Sequence, residues 1–326
     1  MSAAADWSRC ELVDLQRAGL EELGSLLAEE TRTWRELLDW DFGPSAELVL
    51  RFTRMRSLRG FALLARGAAA GYIYYVVEEH KALIGDMYLR PECRSAEHEL
   101  TLLEAALSGI TGHHGVERVE AQVMLFEPRP VMSLPLPRHA AEHDRFFLAL
   151  ELASATLPPV GKGVACLEPW VSSAQAVAAQ LIAGAYCGHV DSEINDQYRS
   201  VAGAARFLQN IIQYPGCGSF YAPGSFLAFD RRSGRPCGLC LSSLVAPDVG
   251  HITQVCVLPS WQGEGVGYAL LRRSLLALHE RGCRKVSLTV TAANRPAARL
   301  YERMGFRTVR RFPAYVWEGL GRAHRS

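Results

Sequence analysis

Gln262-Gly263-Glu264-Gly265-Val266-Gly267 runs directly into an apolar, helix-forming stretch, residues 268–281, which Gly282 ends. Before it lies a β-rich run, residues 251–258, closed by Pro259. Strand, glycine turn and helix start together make an anion site. The first amides of a helix have no partner within it, and the helix dipole adds partial positive charge there. Glycines remove the side chains that would block a diphosphate and let the backbone turn sharply. This stretch is therefore expected to hold a phosphorylated cofactor.

The order of residues narrows the cofactor. A dinucleotide fingerprint reads G-x-G-x-x-G with an acidic residue about 20 positions on, but Lys285 and Ser287 occupy that region. A nucleotide P-loop needs Lys-Ser or Lys-Thr after its glycines, and none follows here. The pattern Q-x-x-G-x-G instead resembles the acyl-CoA loop of the GNAT superfamily of N-acetyltransferases, [QR]-x-x-G-x-[GA]. Next comes a β-branched alternating strand, residues 285–291, then Asn294-Arg295-Pro296-Ala297 and on to Tyr301, Gly305 and Phe306. Asn294 suits an N-cap, Pro296 a first turn and Gly305 a C-terminal stop. This second segment is similar to the family's N-x-x-A-x-x-x-Y-x-x-x-G-F pattern at Asn294, Ala297, Tyr301, Gly305 and Phe306.

The resemblance covers about the last half of the chain and implies a mixed, mainly antiparallel twisted sheet flanked by helices. It implies acetyl-CoA as co-substrate and direct attack of an amine on the thioester. Carried onto this chain, Val257 and Leu258 contact the acyl-pantetheine arm, with Gln262, Gly263, Gly265, Val266, Gly267 and Tyr268 around the diphosphate. Asn294 bonds the cofactor, and Tyr301 protonates the departing thiolate as general acid. An unperturbed phenol, with a pKa of about 10, is matched to a thiol leaving group. Each residue also has a plainer reading: Tyr301 as core, Asn294 as a cap alone, Gln262 as loop surface.

A second feature is an internal repeat. The stretch Gly71 to Pro91 follows the plan of Gly238 to Pro259 and differs from it in length by one residue. Helical segments, residues 45–55 and 201–213, precede the two blocks. The chain therefore reads as two tandem GNAT folds of the α/β (α+β) class, residues 1–158 and 159–326, with a linker across residues 155–163 rich in proline and glycine. In the first copy Arg94 fits the [QR] position, but Glu97 and Glu99 stand where the glycines belong. No Asn-Ala-Tyr pattern follows its last strand. The first copy is expected to be a non-catalytic scaffold.

Composition bounds the rest. In 326 residues, 35 Lys and Arg balance 34 Asp and Glu, so nothing draws the chain to nucleic acid or an anionic membrane. Nine cysteines, an odd number without a secretory leader, fit reduced thiols in the cytoplasm. Cys237-Gly238-Leu239-Cys240 opens a strand and lacks a partner pair at zinc spacing, so it reads as buried and no metal is expected.

The acceptor is the least legible part. The connection between the second copy's first helices, residues 186–199, holds His189, Asp191 and Glu193. Asp191 or Glu193 is placed to attract a cationic amine or to free it through water. Glu193 joins Tyr301 as a catalytic candidate, with His189 and His251 as further bases. Some family members carry a glutamate base five positions before the Asn motif, and here that position is Thr289. The general base is thus left open. The expected acceptor is a small-molecule amine or a peptide N-terminus or lysine, and a homodimer is allowed. The alternative is an acyl-CoA-binding sensor without turnover; retention of both Asn294 and Tyr301 favours an enzyme.

Overall fold

The computed structural model describes residues 10–17, 20–155, 157–160, 165–214 and 216–320. Residues 1–6, Gly161 and Gly163 of the linker, Val164 and Pro215 lie outside these. The chain forms two compact units, Met1–Asp144 with Phe312–Ser326, and Arg145–Arg311.

The first unit contains β1 (Glu11–Asp14), α1 (Leu20–Leu38), α2 (Gly43–Arg54), β2 (Arg59–Ala65), β3 (Ala68–Glu78), β4 (Lys81–Leu89), α3 (Ala96–Thr111) and β5 (Arg118–Gln122). Then β6 (Ala140–Glu151) carries the chain onward. The second unit adds β7 (Ala165–Pro169), α4 (Gln175–Ala185), α5 (Asp191–Ile194), α6 (Val201–Gln213), β8 (Ser219–Phe220), β9 (Phe226–Asp230), β10 (Pro236–Ala246) and β11 (Val249–Val257). It closes with α7 (Val266–Glu280), β12 (Lys285–Thr291), α8 (Arg295–Arg303) and the start of β13 (Arg307–Glu318).

The compact units do not divide at residue 158 as the linker composition suggested. Residues 145–151 pair with β12 inside the second unit. Residues 314–318 of β13 pair with β5 inside the first. Each unit is completed by a strand segment that lies beyond that boundary in sequence. Proline-rich composition marks a loop, but it carries no information about which strands pair across long sequence separations.

Within each unit the strand pairing is antiparallel except at one place. In the second unit β11 and β12 run parallel and pair from Val249↔Lys285 to Ile252↔Leu288. Beyond that pair β11 continues to Val257 and β12 to Thr291, so the two strands part. The first unit repeats the plan, with β4 and β5 parallel and pairing as far as Ile84↔Ala121. A bulge sits at the matching point of each. Register skips Gly85 between Ile84 and Asp86, and Thr253 between Ile252 and Gln254. A bulge of this kind re-aims the strand where pairing ends.

The core of the second unit packs α7 onto one face of its sheet. Leu270, Leu271, Leu275 and Leu278 are fully buried, recurring at helical spacing. Each buried leucine contributes about 1.5–3 kcal/mol. The β12 residues alternate: Val286, Leu288 and Val290 join this cluster, while Ser287, Thr289 and Thr291 point to the other face. That other face is covered by α4 and α6 through Ala178, Ile182, Ala204 and Leu208. Cys237 and Cys240 are buried on β10, and all nine cysteines are free thiols.

Candidate active site

The glycine turn is built as a cradle. Gly263 and Gly265 have φ of 85° and 81°, the left-handed region that other residues enter at a cost. A Cβ added at either would meet nothing within 4 Å. The space beside the turn is therefore open, and the glycines serve conformation and access together. Gly265 is the N-cap of α7 and offers no side-chain cap. The Ala269 amide bonds the Gly265 carbonyl at 3.0 Å, and the amides before it stand at the helix start with its dipole behind them. Those amides fit a diphosphate.

Three neighbours also have structural duties. The Gln262 side-chain Nε2 donates to the Val257 carbonyl at 3.2 Å, tying the turn back to its strand. Gly267 leaves room for packing: a Cβ there would lie 3.6 Å from Val257 and 3.9 Å from Leu300. The Tyr268 hydroxyl donates to the Pro158 carbonyl at 2.7 Å. Val266 is buried in the core, so only its backbone can serve a ligand. Val257 and Leu258 are partly buried at the end of the parted strand.

The first unit shows what happens without those glycines. Ser95 caps α3, accepting from the His98 amide at 3.2 Å. The helix begins at Ala96, one of its free amides already satisfied. Glu99 is buried and pairs with Arg129.

Asn294 caps α8, its side-chain oxygen accepting from the Ala297 amide at 3.3 Å. Tyr301 follows on the buried face of α8, 6% exposed, with Phe306 edge-on at 6.0 Å. Burial lifts its pKa well above that of an ordinary phenol, with Cys240 and Asp191 raising it further and Arg145 opposing. The close match to a thiol that the free phenol suggested does not hold here. The hydroxyl therefore stays protonated.

The other face of β12 carries a row of hydroxyls that sequence reasoning did not single out. Ser287 bonds His251 Nδ1 at 2.9 Å, the Arg145 guanidinium donates to Thr289 at 3.2 Å, and Thr291 donates to Asp191. Their i, i+2 spacing puts all three on one side of the strand. Thr289, the position without a base, thus orients a cation. His251 is buried and its pKa is lowered to about 3 by burial and by Arg145, which makes it a poor base. Facing this row, Tyr186 and Tyr198 stack at 4.5 Å. Gln254 joins them, donating to the Tyr186 hydroxyl at 2.7 Å and accepting from Tyr198 at 3.2 Å.

Glu193, expected beside Tyr301, is exposed on α5. The loop brings Asp191 inward instead, its side chain 15% exposed. Helical spacing in a single-turn helix gives no sign of which carboxylate turns in. Cys217 is unsuited to attack, since burial raises its thiol to about 11.

The site thus combines a sheet split between two parallel strands, an open glycine turn at a helix start and a buried tyrosine on the next helix. Residues 191–306, which hold the glycine turn, Asn294 and Tyr301, match the family model described as Acetyltransferase (GNAT) family. A mycothiol acetyltransferase of Thermobifida fusca is 39% identical over 95 residues, which cover 27% of this chain and 29% of that protein. The matched stretch thus spans under a third of that relative's length. A mycothiol acetyltransferase of Streptomyces griseus is 28% identical over 303 residues, 90% of each chain. Among solved structures, a tandem GNAT protein from the clavulanic acid biosynthesis pathway shares the fold, with TM-score 0.61 and 17% identity over 95% of this chain and 99% of that one.

Proposed function

We propose that the second unit transfers an acetyl group from acetyl-CoA to the amine of a small molecule. The observation that carries this reading is the pair Gly263 and Gly265, both left-handed and both facing open space at the uncapped start of α7. Backbone amides from Gly263 to Tyr268 hold the diphosphate, and the parted ends of β11 and β12 take the pantetheine arm as a sheet edge takes a strand. Acetyl-CoA supplies the acetyl group: the amine nitrogen forms the C–N bond, the C–S bond breaks, and sulfur leaves as a thiol. Tyr301 holds the proton at its hydroxyl for that sulfur. Asn294 fixes the entry of α8, and so the place of Tyr301.

The first unit acts as a scaffold in this reading, its helix start closed by Ser95 and Glu99. Mycothiol acetyltransferases among the relatives support a small-molecule acceptor, and N-alpha-acetyltransferases among them make a peptide N-terminus the competing one. The test is thioester consumption with acetyl-CoA against a panel of primary amines and peptides. Acetylation of a small amine with release of CoA is expected. Preference for peptides would overturn the acceptor class, and no consumption with any amine would overturn the reaction.

A further inference from the structure

We infer that Asp191 receives the acceptor's ammonium group and takes its proton, with His189 holding the backbone that carries it. This rests on the acetyl-transfer reading and adds the group that reading leaves unassigned.

The placement comes from three fixed points. Thr291 donates to Asp191 Oδ1, anchoring the carboxylate to the last residue of β12, in the part of the strand that has separated from β11. The Asp191 amide donates to His189 Nδ1 at 3.1 Å, and the same nitrogen lies 3.6 Å from Asp191 Oδ2. His189 in turn stands edge-on to Tyr186 at 5.1 Å. The carboxylate is therefore held from the strand side and the loop side at once.

Its charge reaches the reacting end. Asp191 is among the influences on Tyr301, Tyr186 and Tyr198. The groups around it are those three tyrosines, His189 and Thr291, with Arg145 from β6 acting on Tyr198 and Tyr301. Apart from Arg145 these are neutral or weakly basic. Asp191 is thus the anion beside the tyrosine that faces the departing sulfur. A cationic amine drawn to it arrives next to Tyr301.

An ammonium ion cannot attack, so one proton must leave first. It passes from nitrogen to an Asp191 oxygen and leaves the nitrogen its lone pair. From Asp191, whose side chain is 15% exposed, it passes to water. The nitrogen then forms its bond to the acetyl carbon and loses a second proton as the C–S bond breaks. Sulfur takes the Tyr301 proton, and the second nitrogen proton restores Tyr301. One proton is released overall, as conversion of an ammonium to an amide requires.

The test uses the full chain and whichever primary amine of the panel the wild type acetylates fastest. Asp191→Asn is expected to lower turnover at neutral pH by about 100-fold. The deficit should shrink as pH approaches the amine's own pKa, where solvent supplies free amine. Acetyl-CoA affinity should stay within about twofold, and Glu193→Gln should match the wild type. Equal turnover in Asp191→Asn, or a deficit constant with pH, overturns the assignment. If Asp191→Asn also loses acetyl-CoA binding, Thr291→Val decides. It keeps the carboxylate but loosens it, and a rise in acceptor KM of about tenfold with unchanged acetyl-CoA affinity is expected. An unchanged KM overturns the claim. A wild type that binds acetyl-CoA yet acetylates no amine overturns the acetyl-transfer reading itself, and this assignment with it.

Discussion

Tyr301 shows how burial reshapes a residue's chemistry. A free phenol titrates near 10, but this one is held well above that, chiefly by burial. It therefore stays protonated across any practical assay range, and no alkaline fall in turnover below about pH 10 should come from it. Tyr301→Phe should cut turnover by about 100-fold or more and leave acetyl-CoA affinity nearly intact, measured by steady-state kinetics and calorimetry. Unchanged turnover removes Tyr301 from the reaction. The tyrosine itself was legible in sequence, because the Asn294-to-Phe306 spacing carries both a cap and a helix end. Asp191 over Glu193 was not legible. The choice is made by Thr291, which lies far along the chain and reaches the loop only in the folded sheet.

At the scale of elements, α3 and α7 are one helix built twice with different starts. The glycine start leaves amides open, whereas the Ser95 start satisfies one within the chain. This difference was readable, since φ preference and capping are local properties. A second contrast was not. On β4, Asp86 follows the bulge at the place that Gln254 holds on β11. Where Gln254 meets two tyrosines, Asp86 meets Glu30 of α1 in a buried, hydrogen-bonded carboxyl pair.

Among the described residues, none of the groups that act on that pair is a cation. Glu30 accepts from the Tyr72 hydroxyl at 2.8 Å and the Trp34 indole at 3.2 Å, and Asp86 accepts from the Met87 amide at 2.7 Å. Tyr74 on β3 feels both carboxyls, and Tyr88 on β4, with Glu29, feels Glu30. Burial raises both acids, Asp86 to about 7. A folded-state pKa above the unfolded one makes the native state bind the extra proton. The stabilisation is full below the ordinary carboxylate range and is lost as pH rises through about 7. The first unit should melt at a higher temperature at pH 5 than at pH 8, followed by calorimetry, and Asp86→Asn should flatten that slope. A slope unchanged in the variant would rule the pair out as its source.

At the scale of the whole molecule, the repeat was legible because β3 and β4 match β10 and β11 in length and in the turn between them. The true extents of the units were not, since residues 145–151 and 312–318 are assigned by pairing with β12 and β5. A fragment 145–311 keeps the pairing of β12, whereas a fragment 159–326 removes it and leaves Thr289 without Arg145. The first fragment should unfold cooperatively in denaturant, and the second should be unfolded or aggregated. Equal stability of the two would contradict the assignment of residues 145–151 to the second unit.

The most direct measurement is calorimetric titration of the full chain with acetyl-CoA, beside Gly265→Glu, which places a side chain and a negative charge at a left-handed position in the open turn. One acetyl-CoA per chain in the wild type, and none in Gly265→Glu with the fold retained by circular dichroism, is the expected result. Two per chain, or binding undiminished in Gly265→Glu, would contradict a single cofactor site at Gly263 and Gly265.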